Sequence, residues 1–436
     1  MVAASRPIKK LINRNFYLLW QGQTISRLGD QMYQIAMLLW IKDLTDSATI
    51  VGLILMASSI PGVLLGPIGG TFADRYSRRK ILLTCDMIMG IGMLILAVLS
   101  WFNGGGGQYA LAWLVLIAIV NGIIEAFFSP AISSAIPDLV PKDRVAAANS
   151  MAQFSVQAAL FFGQGLGGTL FRILGGPVIF MITGLSYLFA SLNDFLLRIP
   201  QRKVAQNTDF NTHLKAFKKD MLDGLRYVWA QTGLKQLVIL SAVMNFFSVP
   251  IIVLLPFFVE DSLKVTVDWY GFLLVAYGVG SMLGYVAAGV WTIKGRMRAA
   301  LIFLMFFVQS AGYGFLGMAG TAPLALSIVF LGGIVNGLVT IYVTTILQTH
   351  TPSEIRGRIF GLLGTIAGSL APVAMGLSGI IADLLNQNIR LMYVGSSLIL
   401  VFVIGGMALS PSLWTYLAQD PIPARAQKDP SRPVKN

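Results

Sequence analysis

Asp74-Arg75-Tyr76-Ser77-Arg78-Arg79-Lys80 is a knot of charge between two long apolar runs, with Gly66, Gly69 and Gly70 just ahead of it. A weaker copy, Lys294-Gly295-Arg296-Met297-Arg298, stands behind Gly284, with Arg296 218 residues after Arg78. A short charged turn between apolar runs, written twice, reads as a duplicated chain that crosses a membrane many times.

The composition around the turn agrees. Hydrophobic residues make up 56% of the chain and charged ones 12%, about half the charged share of a soluble domain. The apolar residues fall in blocks of roughly 20, the length that crosses the hydrocarbon core as a helix. Lipid cannot satisfy open backbone groups, and the alternation of a membrane strand is absent, so the blocks read as helices. Twelve are visible, at 16–41, 50–73, 80–102, 109–136, 146–174, 177–198, 235–259, 269–292, 299–319, 322–348, 358–384 and 389–410. The first is too long for a cleaved signal peptide and contains Arg27 and Asp30.

The net charge of +13 follows the blocks. With the amino terminus in the cytoplasm, 27 of the 32 Lys and Arg fall on inner segments and four, Lys42, Arg172, Lys264 and Arg390, on outer ones. The positive-inside rule then places both termini in the cytoplasm, and the basic balance needs no nucleic acid to explain it. Cys85 is the single cysteine, and His213 and His350 are the two histidines. They leave no intramolecular disulfide and no zinc pattern. Neither a phosphate-binding G-x-x-x-x-G-K-S/T loop nor H-E-x-x-H occurs, so an ATP-driven pump, a resident cofactor or an enzyme is not expected.

The longest polar stretch between blocks splits the chain into residues 1–198, a six-helix bundle; 199–234, a cytoplasmic linker; 235–410, a second six-helix bundle; and 411–436, a disordered tail rich in proline and charge. In the linker Phe210, Leu214, Phe217, Met221 and Leu225 recur at helical spacing, as in an amphipathic helix lying along the membrane. The halves repeat: Leu65-Gly66 matches Leu283-Gly284, Asn121 matches Asn336, and Pro141 with Arg144 matches Pro352 with Arg356. The fold class is therefore an all-α membrane protein, twelve transmembrane helices in two pseudo-symmetric six-helix bundles around a central cavity. Glycines four apart, at 62, 66 and 70, at 163 and 167, at 280 and 284, and at 364 and 368, mark helices that approach closely. They are expected at the seam between the bundles.

Polar residues inside a membrane usually face a cavity. Block 1 carries Gln23, Arg27, Asp30 and Gln34 on one stripe, and block 4 carries Asn121, Glu125 and Ser129. Block 7 carries Ser241, Asn245 and Ser248; block 10 carries Asn336, Thr340, Thr344 and Gln348, with Tyr342 among the nearby aromatics. Arg27, one turn from Asp30, is expected to pair with it. Glu125 has no basic neighbour on its own helix, and desolvation favours the neutral form of a carboxyl group. Glu125 is therefore the candidate for carrying a proton or meeting a cationic substrate, with Asp30 and Arg27 organising the site. The competing reading is a purely structural Glu125–Arg27 pair.

These residues resemble the major facilitator superfamily. Gly70, Asp74, Arg75, Arg78 and Arg79 match its G-x-x-x-D-R-x-x-R-R loop. Three stretches are similar to the drug-efflux branch containing macrolide and enterobactin exporters: Asn15-Phe16 through Gly29-Asp30, Ser129-Pro130-Ala131 through Pro137-Asp138-Leu139-Val140-Pro141, and Gly224-Leu225-Arg226-Tyr227-Val228-Trp229. The resemblance implies secondary transport by alternating access, a working monomer and a bacterial cytoplasmic membrane. It also implies that Asp74 faces the amino end of block 11, whose partial positive charge favours an anion. Arg78 and Arg79 would then pair nearby or meet lipid phosphate, closing a cytoplasmic gate. Two departures stand out: block 4 lacks the arginine of many proton-coupled exporters, and Gly163-Gln164 stands where some have Gly-Pro.

The first functional expectation is an exporter of amphipathic drug-like compounds or metabolites that exchanges them for protons. A siderophore or lysophospholipid carrier of the same fold is the alternative within transport. A pore or a non-transporting receptor is the alternative outside it.

Overall fold

The computed structural model describes residues 11–102, 108–199, 210–290, 293–351 and 353–419, and every regular element among them is helical. The first group is α1 (Arg14–Thr45), α2 (Ala48–Arg75), α3 (Arg78–Phe102), α4 (Gln108–Leu139), α5 (Val145–Ala159) and α6 (Gly165–Leu196). The second is α7 (Phe210–Ala230), α8 (Thr232–Val253), the short α9 (Leu255–Phe257), α10 (Asp268–Val290), α11 (Gly295–Met318), α12 (Ala322–His350), α13 (Ser353–Leu384), α14 (Ile389–Ala408) and α15 (Pro411–Ala418).

Among the described residues, ten helical stretches are long and apolar enough to cross a membrane. One of these, Lys142–Leu196, holds two of the sequence blocks. The break falls at Gly175, whose φ of 76° suits glycine, and Pro177 opens the second segment with its fixed φ. A π-turn, Leu160–Gln164, joins α5 to α6. Helix α1 is 32 residues long, and its polar stripe dilutes its apolar character.

By packing, the chain divides into two compact units. Unit 1 is Met1–Lys215 with Thr266–Leu274 and Met375–Asp383; unit 2 is Ala216–Val265, Val275–Ala374 and Leu384–Asn436. Within unit 1, α1 and α3 pack on α6, and α2 packs on α4. Within unit 2, α8 and α11 pack on α14, and α10 packs on α12 through glycines. Corresponding helices therefore pair in the two halves of the sequence.

Partly buried polar groups fix helix ends of unit 1. The Asn13 side chain accepts from the Asn15 and Phe16 amides, both at 3.1 Å, and donates to the Leu139 carbonyl at 2.7 Å. This caps α1 and ties its start to the end of α4. Asp383 accepts from the Ser47 hydroxyl at 2.7 Å and from the Ala48 and Thr49 amides at 3.1 and 2.9 Å, at the N-terminus of α2. Arg172 pairs with Asp268 at 2.8 Å.

Three expectations change. Of the spaced glycines, Gly163 and Gly167 lie against Leu28, Gln31 and Ile35 of α1, Gly62 against Gly122 of α4, and Gly280 and Gly284 against α12, each inside its own unit, while Gly66, Gly70 and Gly364 have nothing within 4 Å of an added Cβ. The spacing licenses close approach to any neighbouring helix and does not select the seam. Residues 411–418, expected in a disordered tail, form α15, with Leu413 and Leu417 at 0% exposure in the unit 2 core. Three apolar side chains on a short helix outweigh the proline and charge that follow. The linker does form a helix, α7, and Met221 and Leu225 pack against the core of unit 2 rather than standing free for lipid.

Candidate functional site

The sequence stripes of α1 and α4 meet in unit 1. A cavity of about 540 Å³ is lined by Trp20, Gln23, Thr24 and Arg27 of α1, Glu125, Ser129 and Ser133 of α4, and Asn149, Gln153 and Ser155 of α5. The helical spacing explains the lining: Trp20, Gln23 and Arg27 fall on one face of α1, and Glu125, Ser129 and Ser133 on one face of α4. Glu125 is exposed to this space. It senses the charges of Asp30 and Arg27, yet among the described residues neither Glu125 nor Arg27 makes an ion pair. The arrangement places an unpaired carboxyl and an unpaired guanidinium on the wall of one polar cavity.

Asp30 is placed differently. Its Oδ1 accepts from the Tyr187 hydroxyl of α6 at 2.9 Å and its Oδ2 accepts from the Gln34 amide at 2.8 Å. The Asn121 side chain interacts with it from α4. The expected Arg27–Asp30 pair is not formed, because the phenol and two amides occupy the carboxylate. Asp30, Gln34 and Asn121 thus form a polar knot behind the cavity, while Gln23, Arg27 and Glu125 line it. A second amide contact, Gln164 to Gln31 at 2.8 Å, joins the π-turn to α1. Such turns recur where a helix is bent for function.

In unit 2 the stripe residues separate. Asn245 and Thr340 are exposed on α8 and α12, and the Thr340 hydroxyl donates to the Asn336 carbonyl at 2.8 Å. The Asn336 side chain accepts from Gln309 at 3.5 Å, and Gln309 also reaches the Tyr313 hydroxyl at 3.3 Å. Tyr342 is 7% exposed and packs with Met244 and Leu338 in the apolar core. Two residues along a helix turn the side chain about 200°, so Tyr342 leaves the face that carries Asn336 and Thr340.

The charged turn is partly described. Arg78 pairs with Asp138 and donates to the Ser134 carbonyl at 2.6 Å, both on the last turns of α4. Arg79 donates to the Asp194 carbonyl at 3.2 Å and to the Phe195 carbonyl, and lies over the Phe195 ring at 5.5 Å. Two cations thus neutralise the carbonyl ends of α4 and α6. Gly70, on α2, has no neighbour within 4 Å of an added Cβ. The side chains of Asp74 and Arg75, and those at the amino end of α13, lie outside the described residues.

Sequence reasoning missed Tyr187, Asp86 and Asp194, and in unit 2 Gln309 and Tyr313. Asp86 and Asp194 are each 1% exposed. Their signal was present, since each is the lone carboxyl inside its apolar block, 80–102 or 177–198.

A fold of paired helix units with a polar cavity is shared by many carriers, and the comparisons decide among them. The family model described as Major Facilitator Superfamily matches residues 19–376. The chain belongs to this superfamily. Membership makes it a multi-pass membrane transporter. Among curated family relatives, macrolide efflux protein A of Streptococcus pyogenes is 23% identical over 401 residues, covering 89% of this chain and 94% of its own. The multidrug efflux pump Tap of Mycolicibacterium fortuitum is 25% identical over 367 residues, covering 82% and 87%. Of solved family folds, a bacterial homologue of the iron transporter ferroportin in an inward-facing state superposes with a TM-score of 0.69 at 16% identity, covering 91% of this chain and 99% of that one.

Proposed function

We propose that the chain exports amphipathic small molecules across the bacterial cytoplasmic membrane by alternating access, in exchange for protons. The observation that carries this reading is Glu125, an unpaired carboxyl on the wall of a 540 Å³ cavity, with Arg27 on the same wall. An ionisable group at membrane depth is costly and is retained for function. When Glu125 is ionised it attracts a cationic amphiphile; when protonated it does not. Proton and substrate then compete for one group, and competition at a site that opens alternately to either side is exchange. Linkage makes the effect reciprocal: bound proton weakens substrate, and bound substrate weakens proton. Trp20 on the same wall offers ring surface to an apolar body or a cation. The efflux activities named for two full-length relatives support export as the direction. Charge distribution supports cytoplasmic termini. The working unit in this reading is a monomer.

The test is a panel of macrolides and lipophilic cations in proteoliposomes with an imposed pH gradient. Exchange predicts saturable flux, counterflow and dependence on the gradient. Unsaturable flux without counterflow identifies a pore and rejects the proposal.

A further inference from the structure

Three arginines of unit 1 converge where α1 and α3 begin and α6 ends. Arg14, Arg79 and Arg198 line a cavity of about 470 Å³, together with Asn15, Phe195 and Leu196. Its polar side chains are three guanidinium groups and one amide, and no carboxylate lines it. Like charges gathered around one space repel one another, and an anion between them relieves the repulsion.

The protein itself uses these cations sparingly. Arg79 donates from Nε to the Asp194 carbonyl at 3.2 Å and from a terminal nitrogen to the Phe195 carbonyl, with its guanidinium over the Phe195 ring. A guanidinium carries five N–H donors, so three remain. The Asp194 carboxyl feels the charge of Arg79 but makes no ion pair with it and does not line the cavity. Arg14 and Arg198 are exposed, and among the described residues their side chains make no hydrogen bond or ion pair. Their positions are nevertheless held. The Arg198 main-chain amide donates to the Asn15 side chain at 3.3 Å and ties the end of α6 to the start of α1.

An apolar track leads into the same cavity. Leu185, Phe189, Leu192 and Leu196 are exposed on α6 at spacings of four, three and four, which is one face of the helix. The stretch that contains α6 is long and apolar enough to cross a membrane, so this face meets acyl chains. The arginines stand at its end, at headgroup depth. A soluble anion would use the arginines and leave the track idle, whereas a phospholipid uses both.

We propose that the cavity of Arg14, Arg79 and Arg198 binds the phosphate of an anionic phospholipid whose acyl chains run along the exposed face of α6. Guanidinium groups meet phosphate oxygens through paired N–H bonds, and basic pockets between membrane helices take such headgroups. The site is independent of proton exchange and of what the carrier exports.

The experiment titrates the full chain in detergent with phosphatidylglycerol, with phosphatidylcholine of the same acyl chains, and with inorganic phosphate, reading the melting temperature at each concentration. Wild type is compared with Arg14→Gln/Arg198→Gln. The charge-matched control is Lys142→Gln/Arg144→Gln, at exposed positions outside the cavity. Arg79 is left in place because it also holds the end of α6. Should the double variant lose its fold, the two single variants carry the same test. The expected result is stabilisation by phosphatidylglycerol beyond that by phosphatidylcholine in wild type and control. The apparent affinity for phosphatidylglycerol falls about fivefold for each arginine lost, about 25-fold in the double variant. Equal affinity in wild type and the arginine variant overturns the proposal, as does an equal loss in the control, which marks diffuse attraction. Stabilisation by inorganic phosphate that matches phosphatidylglycerol makes this a site for free phosphate and overturns the lipid assignment.

Discussion

The Tyr187 hydroxyl of α6 donates to Asp30 Oδ1 of α1 at 2.9 Å, across 157 residues of chain. Asp30 is therefore held by a neighbouring helix, and Arg27 on its own helix stays free to face the cavity. Removing one partner of a buried hydrogen bond strands the other. Tyr187→Phe is expected to cost about 1–3 kcal/mol of stability and to reduce transport with it. Thermal unfolding of the purified protein in detergent reads the first, and vesicle uptake reads the second.

Arg78 joins the Asp138 carboxylate to the Ser134 carbonyl at the end of α4. Its side chain is 14% exposed and that of Asp138 is 38%, so the pair is only partly screened by solvent. Arg78→Ala is expected to destabilise by about 1–3 kcal/mol, with Asp138→Asn costing less, because the amide still accepts from the guanidinium. Chemical denaturation of the two variants side by side checks the order.

Gly284 of α10 faces Gly337 of α12 so closely that an added Cβ would meet the Ile334 carbonyl and stand 3.0 Å from the Gly337 Cα. Both obstacles are backbone and cannot rotate away. Gly284→Leu is expected to force the helices apart at a cost of about 1–3 kcal/mol or more. Lower yield of folded monomer on size exclusion is the readout, with Gly289→Leu, where the Cβ meets open space, as the tolerated control.

Helix α15 is latched to unit 2 by Arg298, whose Nε donates to the Leu417 carbonyl at 3.0 Å. The His350 ring meets the Gln419 carbonyl at 2.9 Å. Arg298 is 7% exposed, so its replacement strands carbonyls as well as a cavity. Arg298→Ala is expected to release α15, seen as faster proteolytic trimming of the C-terminus than in wild type.

Much of this molecule was legible because lipid imposes a strong rule on sequence. Apolar length gave the helices, and the gap between the blocks 146–174 and 177–198 falls at the break at Gly175. The stripes of Gln23, Arg27 and Glu125 pointed at a shared cavity because helical period alone sets which residues share a face. Asp30 escaped the same logic: its partner Tyr187 is distant in sequence, and no periodicity announces a contact between helices. Asp86 and Asp194 were hidden for a related reason. Each is the lone carboxyl of its apolar block, and only the packing of α3 on α6 brings their helices together. Of the tail expected to be disordered, residues 411–418 form a helix because Leu413, Tyr416 and Leu417 pack into the core of unit 2, which composition cannot reveal, and residues 420–436 lie outside the described residues.

The central claim is that the Glu125 carboxyl couples proton to substrate. The most direct measurement is uptake of a fluorescent lipophilic cation by proteoliposomes under an imposed pH gradient, wild type beside Glu125→Gln. The account predicts that the gradient accelerates uptake in wild type and leaves Glu125→Gln at the level of protein-free liposomes. Equal gradient-driven uptake by the two proteins would contradict it.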